Sequence, residues 1–173
     1  RSFFNDCEKM YKIPSPMKNV QVKKPGQKEP NTYSQSDMRI MLAVKNLKDR
    51  AMFLLDLLLG LRKGEMSSRK WKHVYWDTDI VQIPDDKDFR TKDQESRSIP
   101  LNPVLKEALW EWHKISKQNR EEDYIFPGRN GRHSHFDVLM GKTLKKYGIK
   151  GHCKKFRDTA ASYWLAAGVP LQN

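Results

Sequence analysis

The stretch Ala51 to Leu61, AMFLLDLLLGL, constrains the fold more than any other part of the chain. It is the longest apolar run, eleven residues interrupted only by Asp56. A run this short cannot cross a bilayer, so it is expected as a core helix, from about Leu47 to Leu59. The rest of the chain must supply faces to cover it. Residues 2–12 place Phe3, Cys7, Met10 and Tyr11 at helical spacing, and Pro14 and Pro16 stop that pattern. Residues 17–33 mix Pro, Gly and Lys without a period and read as a basic linker. A helix starts at SQSDMRIMLAV, with Ser34 or Ser36 as its cap.

After the core helix come three short strands, near Trp71–Trp76, Ile80–Pro84 and Arg97–Leu101. Asn102 then caps a helix with Pro103 at its first position, an apolar face of Leu105, Leu109, Trp112 and Ile115, and an end near Lys117. DYIFPGRNGR reads as a strand-like piece and a turn. Ser134 is expected to cap a helix whose face is Phe136, Leu139, Met140 and Leu144. A last helix runs from about Lys154 to Ala167, closed by Gly168. Helices, a small antiparallel sheet and helices again make an α+β, mainly α, chain. There is no strand–helix alternation and no Gly-rich phosphate loop.

Charge narrows the partners. Lys and Arg number 33 against 21 Asp and Glu, a net charge of +12. Such an excess attracts polyanions, nucleic acid first. A membrane surface is the rival, and no basic amphipathic helix with a wide apolar face supports it. Two cysteines 146 positions apart, Cys7 and Cys153, point to a reducing compartment. No signal peptide is visible. The chain opens without Met and stops just after a helix-ending Gly, so both ends are expected to be cuts in something longer.

Three stretches carry possible chemistry, each with a plain alternative. In GLRKGE, Arg62 and Glu65 share a helical face, as a surface ion pair would; the carboxylate could also hold the guanidinium in one orientation. In RTKDQESRSIPL, Lys92 precedes the strand of Arg97. It is a solvated hairpin lysine or one that reaches a phosphate and donates a proton. In HCKKFRDT, Lys154 and Arg157 lie one turn apart at a helix start, with Phe156 turned inward. Cations there oppose the helix dipole by about 0.3–1 kcal/mol each, a cost that an anion removes. Metal readings are weak. His133 and His135 form an isolated pair, His152 and Cys153 are adjacent, and no second cluster has zinc-like spacing. His73 and His113 carry no signal, and no nucleophile elbow is present.

In this order the three stretches resemble the tyrosine recombinase, or phage integrase, family over about residues 33–173. LLLGLRKGEM is similar to its first arginine box, RTKDQESRSIPL to its β-hairpin lysine segment, and KKFRDTAASYWLAAGVPLQ to its second box. The resemblance implies an integrase-type catalytic core at residues 34–173, a basic linker at 14–33, and at 1–13 the last helix of an N-terminal core-binding domain. It implies that Arg62 and Arg157 clamp a scissile DNA phosphate, that Glu65 orients the site, and that Lys92 protonates the leaving 5′-oxygen. Lys154 stands where the family usually has His, and Lys155 would contact DNA. The chemistry would join a Tyr to a 3′-phosphate, with neither metal nor other cofactor.

The family's next box and nucleophilic Tyr have no counterpart here. Tyr163, six residues after Arg157, lies about 240° round the helix and is expected in the core. The expectation is therefore a chain that binds double-stranded DNA without cleaving it. It would be monomeric alone, part of a tetramer on two duplexes when full length, and cytoplasmic, at the bacterial nucleoid. Alternatives are a type IB topoisomerase-like domain, disfavoured by AGVPLQ, and a DNA-binding module without chemistry.

Overall fold

The computed structural model describes residues 2–12, 14, 29–86, 89–91, 94–131 and 133–169. Lys92 and most of the basic linker lie outside these residues. The elements are α1 (Ser2–Tyr11), α2 (Gln35–Leu42), α3 (Leu47–Leu59), α4 (Lys63–Ser67), β1 (Val74–Tyr75), β2 (Ile80–Ile83), β3 (Arg97–Pro100), α5 (Pro103–Ile115), α6 (Phe136–Lys146) and α7 (Cys153–Ala166).

The apolar run becomes α3 and sits at the centre. Asn46 caps it by accepting the Asp49 amide at 3.0 Å. Ala51, Met52, Phe53, Leu54 and Leu55 are all buried. Removing each large side chain from water stabilises the fold by about 1.5–3 kcal/mol. Helices α2, α5 and α7 pack around α3. The helix stops at Gly60, whose φ of 57° lies in the left-handed region. A Cβ there would meet the Ala160 Cβ at 3.1 Å, so glycine also permits the close approach of α7.

The flanking helices follow their caps and apolar faces. Ser34, not Ser36, caps α2 in a reciprocal box with Asp37. Pro103 opens α5 behind the Asn102 cap. Ile115 is 60% exposed rather than on the buried face, because α5 ends there and the Ser116 hydroxyl turns the chain by donating to the Gln118 carbonyl. Helix α6 is capped at His135, not Ser134. The Ser134 hydroxyl is buried and has no hydrogen-bond partner among the described residues.

The sheet is antiparallel in the order β1-β2-β3, with Val74 opposite Val81, Ile80 opposite Pro100 and Ile83 opposite Arg97. The first expected strand is mostly a single 3₁₀ turn, Trp71–His73. Its backbone is engaged elsewhere: the Trp71 and Lys72 amides donate to the carbonyls of Asp123 and Glu121, and the Lys70 amide donates to His73 Nδ1. The strand-like piece at Tyr124 reduces to one bridge with Lys70. Among the described residues, no helix is long and apolar enough to cross a membrane.

Candidate functional site

Of the expected site residues, Arg62 and Glu65 follow directly on the end of α3, and Arg157 lies in the first turns of α7, the helix whose Ala160 meets Gly60 at that end. Arg62 is the N-cap residue of α4, with extended backbone, and Glu65 occupies the third helical position. That spacing folds the carboxylate back onto the start of its own helix. Glu65 Oε2 accepts the Arg62 amide at 2.9 Å, and Oε1 accepts Arg62 Nη1 at 3.3 Å. A third donor comes from β3, where Arg97 Nη2 meets Oε2 at 2.7 Å. The Glu65 side chain is fully buried, while those of Arg62 and Arg97 are 30% and 40% exposed.

The electrostatics follow from that count. Burial works to raise the Glu65 carboxyl, but the Arg97 hydrogen bond, the Arg62 amide and the two guanidinium charges outweigh it. The carboxyl is held below its ordinary value. Among the described residues, one carboxylate here faces two guanidinium groups. Planar arginine forks fixed in this way suit phosphate oxygens.

Behind the cluster lies Arg69, fully buried. Its Nε donates to the Glu65 carbonyl at 2.8 Å, Nη1 to the Gln82 carbonyl at 2.7 Å and Nη2 to Ser68 Oγ at 3.0 Å. Burial lowers its pKa to about 10, against the Glu65 and Asp86 charges, which raise it; the group stays charged at neutral pH. Arg69 thus ties α4 to β2, beside the strand that brings Arg97. Neither Arg69 nor Arg97 stands out as a site residue in the sequence. The available signal was the Arg that opens the Arg-x-hydrophobic-Pro-Leu run; SSRKW gives none for Arg69.

The other half is the start of α7. Phe156 is buried, 4.6 Å from the Tyr33 ring and 6.1 Å from Phe53 by centroid. That anchor turns Lys154 and Arg157 outward, and both are exposed. Lys154 Nζ lies 4.0 Å from Asp158 Oδ2, a contact at the limit of an ion pair. Lys155 Nζ lies 4.6 Å from the centre of the Tyr33 ring. His152, the N-cap, makes no side-chain capping bond. Ala160 and Trp164 are the α7 side chains that face Gly60 at the end of α3, and Tyr163, beside them, is 48% exposed and not in the core as expected.

The metal readings gain nothing. Among the described residues, no three His, Cys, Asp or Glu side chains converge on one point. Cys153 is buried, and burial pushes its thiol up to about 12. His73 is buried; burial and the Arg69 charge pull it down to about 4, so it stays neutral and accepts the Lys70 amide.

The phage integrase family model matches residues 32–173. A tyrosine recombinase XerC from Xanthomonas axonopodis pv. citri (strain 306) is 28% identical over 85 residues, 49% of this chain and 26% of that protein. Among solved structures, the integrase from mycobacterium phage Brujita superposes with a TM-score of 0.66 at 21% identity, covering 98% of this chain and 56% of its own. The Tn1549 transposon integrase, in complex with transposon right end DNA, gives 0.73 at 16% identity, covering 96% and 64%. A lambda integrase dimer bound to a COC′ core site gives 0.67 at 14%, covering 94% and 62%. These are likenesses of fold, and the chain spans less than two thirds of each relative.

Proposed function

The chain belongs to the phage integrase family, and from that premise we propose that it binds double-stranded DNA and activates one backbone phosphate for attack by a tyrosine. The observation that carries this reading is the buried Glu65 carboxylate fixing Arg62 beside the junction with α7, whose exposed start presents Arg157. The two forks would bind the non-bridging phosphate oxygens and stabilise the charge that grows on them. Lys154 would add a cation at the helix start, where backbone amides also favour an anion. Lys155 would contact the DNA backbone.

The reaction balances without an external energy source. A tyrosine hydroxyl gives up its proton to solvent as its oxygen forms a bond to phosphorus and the bond to the 5′-oxygen breaks, and Lys92 delivers a proton to that leaving oxygen. The resulting 3′-phosphotyrosyl link is later attacked by a 5′-hydroxyl, which restores the tyrosine. No nucleophile is assigned to the tyrosines described. Tyr33 is buried, Tyr147 donates to Asp49 at 2.9 Å, and Tyr163 lies toward the far end of α7. We therefore assign to these residues phosphate binding and not cleavage. Residues 34–173 would form the catalytic domain, 14–33 a linker and 1–13 part of a core-binding domain, in an enzyme that acts as a tetramer on two duplexes.

A nicked suicide substrate tests this. The full-length protein is expected to form a covalent adduct that protease reduces to a phosphotyrosyl peptide, while residues 1–173 bind the same DNA without forming one. An adduct formed by residues 1–173 alone would overturn the division of roles.

A further inference from the structure

We propose that Arg97 is a positioning residue of the phosphate clamp: it holds Glu65, and through Glu65 it holds Arg62. The inference rests on reading Arg62 as a phosphate-binding arginine. Of the three hydrogen bonds to the Glu65 carboxylate, the one from Arg97 is the shortest, 2.7 Å against 2.9 and 3.3 Å. It is also the one that does not come from the Arg62–Glu65 turn itself. A carboxylate buried this completely needs full compensation to stay ionised. Without Arg97, Glu65 keeps one backbone amide and one long guanidinium contact.

The position of Arg97 is fixed independently of Glu65. It pairs with Ile83 in the sheet register, and the neighbouring Gln82 carbonyl is held by buried Arg69, whose Nε in turn binds the Glu65 carbonyl. The sheet and α4 are thereby locked in two places, once through Arg69 and once through the Arg97 fork. The Ile83–Arg97 pair is also the base of the connection, residues 84–96, that carries Lys92 in sequence. The same carboxylate thus joins the first arginine to the root of that connection.

Among the described residues, the charged groups around Glu65 are Arg62 on its own turn, Arg97 from β3 and Arg69 behind it, with Asp86 acting on Arg69. Arg97 heads the influences that hold Glu65 ionised, and burial opposes them. Once Arg97 is removed, burial gains on the remaining partners and Glu65 takes up a proton at higher pH. That proton displaces an Arg62 bond.

The test is the single-turnover cleavage rate of the full-length protein at saturating DNA, measured across pH for wild type, Arg97→Ala, Arg97→Lys, Glu65→Gln and the double variant Glu65→Gln/Arg97→Ala. Arg97→Ala is expected to lower the rate about 10- to 100-fold, the scale of a misplaced catalytic group, and to move the acid limb of the profile to higher pH. Arg97→Lys restores charge but not the fork, so it recovers part of the rate and most of the acid limb. In the Glu65→Gln background the Arg97→Ala change should cost only a few-fold, because the two act through one route. Equal losses in both backgrounds would overturn the proposal. So would an unchanged rate and pH profile with weaker DNA binding and a salt slope lower by about one, which marks a direct phosphate contact. If Arg62→Ala also leaves the rate at saturating DNA intact, the clamp reading itself fails, a separate outcome. Should Arg97→Ala fail to fold, Arg97→Lys keeps the test, since an unshifted rate and pH profile there contradict the fork's role.

Discussion

Two buried carboxylates, Asp56 and Glu65, lie nine positions apart, and their pKa values are shifted in opposite directions. Glu65 accepts three hydrogen bonds from two arginines and is held ionised. Asp56, in the last turn of α3, has no hydrogen-bond partner for either oxygen among the described residues, and burial pushes its pKa well above the ordinary value. Each underlies one half of the candidate site. Glu65 anchors Arg62; Asp56 is next to Cys153 and Tyr33, which hold the start of α7. The difference teaches that burial alone does not mark a functional carboxylate. Partners decide whether a buried carboxyl is held below its ordinary value or pushed above it. The two arginines differ accordingly. Arg62 is held by its carboxylate, whereas the Arg157 side chain is exposed.

Glu65→Ala should give the largest effect, because it strikes the fold and the clamp together. We expect a loss of about 1.5–3 kcal/mol from the charged hydrogen bonds, read as a lower denaturant midpoint. In wild type, the depressed carboxyl contributes stability above its unfolded pKa and loses it as pH falls through the folded value. The wild-type advantage over the Ala variant should therefore shrink in acid.

Asp56→Asn should act in the other direction. With its pKa raised on folding, Asp56 opposes folding increasingly as pH climbs from its ordinary value of 3.8 toward the folded one. The variant should gain on wild type by about 1.4 kcal/mol per pH unit over that range, and by little in stronger acid. A pH-independent difference would mean that Asp56 has found a partner, and the contrast with Glu65 would fall.

Smaller effects sharpen the view of α7. Lys155→Ala should cost about 0.5–1 kcal/mol through the lost contact with the Tyr33 ring. Arg157→Ala should leave stability within about 0.5 kcal/mol, since its side chain is exposed. A loss as large as that of Glu65→Ala would show Arg157 to be structural.

How far the sequence shows this arrangement depends on which contacts are local. Helix α3 matches the expected bounds because its apolar run, its Asn46 cap and Gly60 agree over one short stretch. Arg62 and Glu65 were legible as a pair for the same reason. Arg97 was not, because its partner lies 32 positions away and meets it only when the sheet closes on α4. Arg69 looks like any other surface arginine in SSRKW until the Gln82 carbonyl arrives. The first strand was misread where backbone groups from residues 121–123 took the place of a sheet partner. Tyr163 was misplaced because periodicity alone does not say which face of α7 meets α3; Ala160 and Trp164 take that place at Gly60.

The central claim is that Arg157 completes with Arg62 a clamp on the reacting phosphate. Its most direct test is the single-turnover cleavage rate of the full-length protein at saturating DNA, wild type against Arg157→Ala. We expect a fall of about 10²-fold or more, the scale of losing one donor to a developing charge. Equal rates, with only affinity and its salt dependence reduced, would contradict the claim and leave Arg157 as a DNA-backbone contact.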